Sequence, residues 1–408
     1  MSKCRRMTSK VGFARAEASF KTQKAVNRIC TRIASRRAVK DPSLPRVNRS
    51  EGDRRKCKSA MNLHNQLLLL LILLVAISTC AQNPSPTGTP NVQVQEKGIA
   101  PIPVLTGGIA LNSSFTSNEA ALLPVVAPII LVPLGKHALI ETEFEAESEV
   151  IHTEGSWQPV TLEKGVEYAQ LDLFLNKYMT LVAGRYATPF NFYKERLDAR
   201  WIRNLPEAPL IFGAGDNSSN GGMLRGAVPL GSSVQWTYSG FFSALTNNLY
   251  AGSERQTGGR TGLFFPKPRF EAAFSFNRRL APVPYDTYGA DFTWNVRRIP
   301  LDVRGEALVS AAAGDGYWVE AAYRLSSPRF SKFFRRSQAV VRGEQYFMPR
   351  NPIETGLEMP ESDAGRLFAG WNYWITDNVR AGVAFGRQFG SSDDHNICTL
   401  GISYRFVR

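Results

Sequence analysis

The chain has 408 residues, of which 49 are Lys or Arg and 35 are Asp or Glu, giving a formal net charge of +14. Residues 1–60 hold 18 of the basic and 4 of the acidic side chains, so the whole excess lies there and residues 61–408 are neutral. That excludes a nucleic-acid-binding body despite the basic total. Beyond Cys80 only Cys398 remains, which excludes an intrachain disulfide or a CxxC metal site in the body.

Residues 1–60 are rich in Arg, poor in acids and without apolar periodicity. An organelle transit peptide has that composition. The preferred reading is an extension that is not part of the mature protein, because a complete signal peptide begins at Met61. Its apolar run, Leu67 to Ile77, is too short to span a bilayer and fits a secretory core, with cleavage after Ala81. Residues 82–103 carry Pro84, Pro86, Pro90, Pro101 and Pro103 and read as an extended periplasmic linker.

From residue 104 onward the dominant period is two. Val234, Trp236, Tyr238 and Phe242 interleave with Gln235, Thr237 and Ser239, and Tyr288, Phe292 and Trp294 interleave with Thr287, Asp291 and Asn295. Leu367, Trp371 and Tyr373 oppose Arg366 and Asn372, and the final GISYRFVR alternates Ile402, Tyr404 and Phe406 with Ser403 and Arg405. Successive strand side chains point to opposite faces, so each segment has an apolar and a polar face. A soluble sandwich shares that pattern. These segments are longer than ordinary soluble strands, carry aromatics near their ends and follow an export signal. In hydrocarbon no backbone group can go unpaired, so strands cross only as a closed barrel.

The fold expected for residues 104–408 is therefore an all-β transmembrane antiparallel barrel. Strands should start near 105, 122, 137, 162, 177, 219, 232, 259, 268, 285, 299, 315, 336, 363, 378 and 395, about sixteen in all. Fourteen is the alternative count, because Pro124 and Pro128 cost ladder bonds in the segment near 122. Tight turns alternate with longer connections near 149–161, 188–218, 246–258 and 348–362, as periplasmic turns and outer loops do. The turn near 327–335, with Lys332, Arg335 and Arg336, is longer than its class predicts.

Within the longest connection, Arg196, Arg200 and Arg203 are spaced i, i+4, i+7, which on a short helix places all three on one face. If the loop lies in a pore, these guanidiniums form a constriction that favours anions. The competing reading is a solvated surface helix in which Glu195 and Asp198 balance the charge. Glu141, Glu143, Glu145 and Glu147 share one strand face and must look into water, since lipid would exclude them. They, with Arg304, Arg342 and Arg380, are expected to line the lumen, opposed by Asp291, Glu306 and Glu344.

The stretch GRYATPFNFYKERLDARWIRNLPEAPLIF, Gly184 to Phe212, resembles the bacterial outer-membrane porin-like families, including the phosphate-selective porin group. The resemblance implies a third loop folded into the lumen, passive diffusion of small hydrophilic solutes or ions, outer-membrane lipid as surroundings, and often a homotrimer. The alternatives are a non-conducting structural or adhesive barrel and, less favoured, an outer-membrane hydrolase. The latter would rest on Asp393-Asp394-His395, which a polar loop tip explains equally well. No HExxH or GxxxxGK spacing occurs, and no cofactor or metal is assigned.

Overall fold

The computed structural model describes residues 102–407, except 154, 216–217, 249, 282, 351–356, 358 and 391–393. The basic extension, the signal peptide and nearly all of the linker expected from the sequence lie outside the described residues. The described residues belong to one compact unit.

Among the described residues sixteen long strands alternate in direction. They are β1 (Val104–Phe115), β2 (Glu119–Leu134), β3 (Ala138–Thr153), β4 (Thr161–Asn176), β5 (Met179–Ala187), β6 (Ser218–Leu230), β7 (Val234–Ser243) and β8 (Arg255–Phe265). The second half comprises β9 (Phe270–Ala281), β10 (Tyr285–Val296), β11 (Leu301–Ser310), β12 (Asp315–Arg324), β13 (Ser337–Phe347), β14 (Ala364–Trp374), β15 (Val379–Gly390) and β16 (His395–Val407). A two-residue ladder, Ser156–Trp157, extends the outer end of β3. Short helices interrupt two connections: α1 (Phe192–Leu197) between β5 and β6, and α2 (Lys332–Arg335) between β12 and β13.

Each strand pairs antiparallel with its sequence neighbour, and the sheet closes on itself. Thr106 faces Val407 and Phe115 faces Cys398 across the β1–β16 seam, while β1 also pairs with β2 from Val104–Leu131 to Phe115–Ala120. GISYRFV, residues 401–407, thus belongs to the closing strand. Closure removes both edges, which is the only way a sheet can satisfy its backbone in lipid.

The strand carrying Pro124 and Pro128 does form. Both prolines keep their register with β1, opposite Leu111 and Gly107, but the β2–β3 ladder skips them. Proline has no N–H to give to one of its two neighbours, so the missing bonds fall on one side only. Gly107 sits opposite Pro128 at φ 137°, where a Cβ would overlap the Ala127 carbonyl oxygen.

Side-chain burial is inverted relative to a soluble protein. Trp236, Phe242, Phe274, Tyr288, Trp294, Val341, Leu367, Phe385 and Tyr404 are exposed on the outer surface. Glu271, Asp291, Glu306, Glu320, Arg342 and Glu344 are buried inside. Water would leave that exterior unstable, whereas hydrocarbon is the solvent it matches. No helix among the described residues is long and apolar enough to cross a membrane, which says nothing of the strands.

Candidate functional site

The connection between β5 and β6 is the third on the loop side, and its described residues, 188–215, lie within the barrel. Its helix begins at Asn191, whose side chain accepts the backbone N–H of Lys194 at 3.1 Å. Asn191 takes φ 71°, a left-handed conformation that Asn tolerates and that turns the chain sharply inward. The first helical N–H groups then meet the wall. Glu306 on β11 accepts Phe192 N–H at 2.8 Å and Tyr193 N–H at 3.4 Å, and Trp318 Nε1–H donates to the same carboxylate at 3.3 Å.

Beyond the helix, other wall side chains hold the loop backbone. Leu210 N–H donates to Glu344 at 2.6 Å, and Arg342 donates to the Glu207 and Ala208 carbonyls at 2.9 and 3.4 Å. Arg366 also reaches Ala208 O, Asn372 reaches Asn204 O at 2.8 Å, and Arg380 reaches Arg200 O at 3.2 Å. Buried charges need partners, and Arg342 and Arg366 share the Glu344 carboxylate, each at 3.4 Å.

Apolar contacts complete the attachment. Phe190, Phe192, Tyr193, Leu197, Leu210 and Ile211 form one buried cluster with Leu308, Trp318 and Tyr346 of the wall. Leu205 joins Ala322, Val340, Phe368, Ala384 and Ile397 in a second. Wall glycines provide the room. A Cβ on Gly370 would stand 2.5 Å from Leu205, one on Gly316 would stand 2.5 Å from Ile211, and one on Gly108 would overlap the Trp201 ring.

The three loop arginines have different surroundings. The helix stops at Leu197, so Arg200 and Arg203 lie past its end and the i, i+4, i+7 spacing is not carried on one helical face. Arg196 makes a two-pronged bond to Glu271, at 2.8 and 2.9 Å, and lines a cavity of about 560 Å³. Arg200 pairs with Glu147 at 2.6 Å beside Arg380, at a crevice of about 20 Å³. Arg203 is buried, bound to Asp198 at 2.7 Å and stacked near Tyr193 and Phe212. Lys194 bridges Glu167 and Asp198 at 2.9 and 2.8 Å. Burial would raise the Asp198 carboxyl, but Lys194, Arg203 and Arg200 outweigh it and hold the group below the usual carboxylate range.

Of the acidic row on β3, Glu141 lines the large cavity and Glu147 anchors Arg200. Glu143 is buried and Glu145 half-buried. Arg304 is bound to Glu320 at 2.7 Å, and Arg342 is fully buried beneath the loop.

What stays open is a cavity of about 560 Å³ between the loop and the β3–β8 wall. It reaches from Glu195 and Arg196 on the loop to Lys177 and Tyr178 at the β4–β5 turn. Arg225 and Arg260 belong to this wall, in register with Ser239 between them. Arg225 is paired with Asp172 at 2.6 Å, and Arg260 with Asp291 and Glu271 at 2.7 and 3.0 Å. The sequence reading did not single out these two. The signal was present, since Leu224 and Leu263 point outward and the alternation sends Arg225 and Arg260 inward.

A closed barrel with a polar lumen, an apolar exterior and its third loop folded inside has the fold of the bacterial outer-membrane porins. Solved structures agree. OprB of Pseudomonas putida superposes with a TM-score of 0.52 at 9% identity, over 74% of this chain and 92% of that one. OmpF of Salmonella typhi gives 0.51 at 14% identity, over 74% and 97%. The anion-selective porin of Comamonas acidovorans gives 0.50 at 11% identity, over 75% and 100%. No family model matches the chain, and no curated protein matches it.

Proposed function

We propose that the protein is a porin of the bacterial outer membrane, through which small hydrophilic solutes diffuse passively. The observation that carries this reading is the cavity of about 560 Å³ left between the inserted loop and the β3–β8 wall, running from the loop to the turn end. A weak preference for anions follows from how its charges are layered. The Arg225 and Arg196 side chains are 42% and 34% exposed, whereas their partners Asp172 and Glu271 are 3% and 10% exposed. A passing ion meets the guanidiniums first, and the neutralising carboxylates stand behind them. Such layering sets the local field in a pore while leaving the total charge near balance. The anion-selective porin among the structural neighbours is consistent with it.

Planar-bilayer recording tests both levels. Discrete conductance steps support a porin, and their absence would favour a non-conducting structural or adhesive barrel. In a KCl gradient the wild type should show a reversal potential on the anion side. Arg196→Ala with Arg225→Ala exposes Glu271 and Asp172 and should carry it across zero. If the potential does not move, these arginines do not govern selectivity. Homotrimer formation, suggested by the resemblance, is checked by cross-linking the detergent-extracted protein.

A further inference from the structure

The connection between β12 and β13 stands apart from the other turns at its end of the barrel. Residues 324–336 read RLSSPRFSKFFRR, with five cations and no acid. Its helix α2 does not enter the lumen. Phe333 stacks on Tyr373 of β14 at 4.8 Å between ring centres, and Phe334 meets Trp371 edge-on at 6.0 Å. Phe330 packs against Phe334, and the Arg324 guanidinium lies 4.2 Å from the Trp374 ring centre. Trp371 and Tyr373 belong to the outward row that continues into exposed Leu367, so the turn is folded over the outer rim. It is held there by backbone bonds, among them Trp374 N–H to Arg336 O at 2.9 Å, and by Arg336 donating to Ile375 O at 2.8 Å.

Phe330, Phe333 and Phe334 remain exposed despite these contacts. Arg329, Lys332 and Arg335 are exposed too, and among the described residues their side chains make no hydrogen bond or ion pair. Neighbouring turns add Lys267, Arg269, Arg297 and Arg298, with Asp377 as the acid of the adjacent turn at 375–378. Apolar rings beside unpaired cations at this level fit a bilayer interface, where rings enter the acyl boundary and cations meet phosphates.

We propose that this rim patch, centred on Arg329, Lys332, Arg335 and the three phenylalanines, binds anionic phospholipid headgroups of the leaflet facing the short turns. The choice of occupant rests on charge complementarity: a zwitterionic lipid or an apolar partner would leave the cations unanswered. The inference depends on the barrel sitting in a bilayer, as proposed above. Near an anionic surface each added Lys or Arg raises association by roughly fivefold.

The test uses the full-length protein in mixed vesicles, with tryptophan quenching by brominated phosphatidylglycerol or brominated phosphatidylcholine. Trp371 and Trp374 report the patch, and Trp236 and Trp294 give a background common to all variants. The expected result is a wild-type preference for the anionic lipid of at least about fivefold, the contribution of one cation, that falls toward unity in Arg329→Gln/Lys332→Gln/Arg335→Gln and in concentrated salt. Phe333→Ala with Phe334→Ala, which keeps the cations, should weaken it partially. Equal quenching by both lipids, or a preference untouched by the triple substitution, overturns the proposal. So does protection of these tryptophans in cross-linked oligomers, which would assign the patch to a second copy. Channel conductance of the same variants separates this from the porin reading: it should be unchanged, and a barrel that conducts without lipid preference refutes only the headgroup site.

Discussion

Glu306 holds the start of the inserted loop, and replacing it with Ala should release that loop. The carboxylate accepts from Phe192 N–H, Tyr193 N–H and Trp318 Nε1–H, and all three donor residues are buried. A buried donor left without an acceptor costs about 1–3 kcal/mol. Three donors therefore give roughly 3–9 kcal/mol against the docked loop. Relief from burying the carboxylate itself offsets part of this, and water entering the released site offsets more. A net of about 3 kcal/mol is a conservative figure, equal to roughly a 100-fold change in the ratio of docked to released loop. Trypsin reads that ratio directly, because Lys194 and Arg203 are buried in the docked state. Cleavage of a transiently opened segment follows the open population when reclosing is fast. Cleavage after Lys194 or Arg203 should accelerate by about two orders of magnitude in detergent-solubilised Glu306→Ala. Cleavage after exposed Arg329 serves as the internal reference. Glu306→Gln, which keeps one acceptor oxygen, should fall between. An unchanged ratio for the Ala variant would show that the wall carboxylate does not hold the loop.

Three further outcomes are expected. Gly108→Val places a branched side chain in the space of the Trp201 ring, which cannot fold away as a flexible chain end could. Single-channel conductance should become larger and noisier, and wild-type traces would show that the socket is dispensable. Val341→Lys puts a charge on the outer face, where a cation near the bilayer midplane costs about 2–4 kcal/mol; urea titration in liposomes should show that loss, and a change below about 0.5 kcal/mol would contradict a lipid-facing exterior. Asp198 is held below its ordinary range by Lys194 and Arg203, so its stabilisation is complete above the unfolded value of about 3.9 and is lost only as pH falls through the lower folded value. The difference in conductance between the wild type and Asp198→Asn should then be steady from pH 7 to about pH 4 and vanish below it. A difference that already vanishes near pH 6 would refute this account of the pair.

The barrel was readable from the chain because two solvents act on alternate residues. Lipid outside and polar surroundings inside force a period of two that survives for a whole strand, as in Tyr288, Phe292 and Trp294 against Thr287 and Asp291. Expected starts at 285, 315 and 395 coincide with the strands, and the start expected near 259 falls at Arg255. The path of the third loop was not readable in that way. Its anchors lie far along the chain: Phe192 meets Glu306, and Leu210 meets Glu344. Nor does a glycine announce what fills the place of its side chain. Gly108 and Gly370 look like weak strand positions until Trp201 and Leu205 are seen in them. The turn at 325–336 was visibly long and basic, but only the stacking of Phe333 on Tyr373 shows that it folds outward.

Alternation also cannot separate two kinds of inward residue, and the difference matters for selectivity. Arg342 and Arg225 obey the same pattern, each flanked by outward residues on its strand. Yet Arg342 is fully buried and spends its donors on the Glu207 and Ala208 carbonyls, while Arg225 is 42% exposed at the cavity. The first fixes the loop and the second meets the solute. A charge count over all inward positions, Arg304, Arg342 and Arg380 against Asp291, Glu306 and Glu344, therefore says little about permeation, because most of those groups are occupied in holding the loop or one another. If the layering of exposed guanidiniums over buried carboxylates sets the field, Arg342→Ala should disturb loop docking and conductance noise, whereas Arg225→Ala should shift the reversal potential and leave trypsin protection of the loop intact. The opposite assignment of effects, measured on the same two variants, would mean that burial does not divide the lumen into anchoring and permeation surfaces.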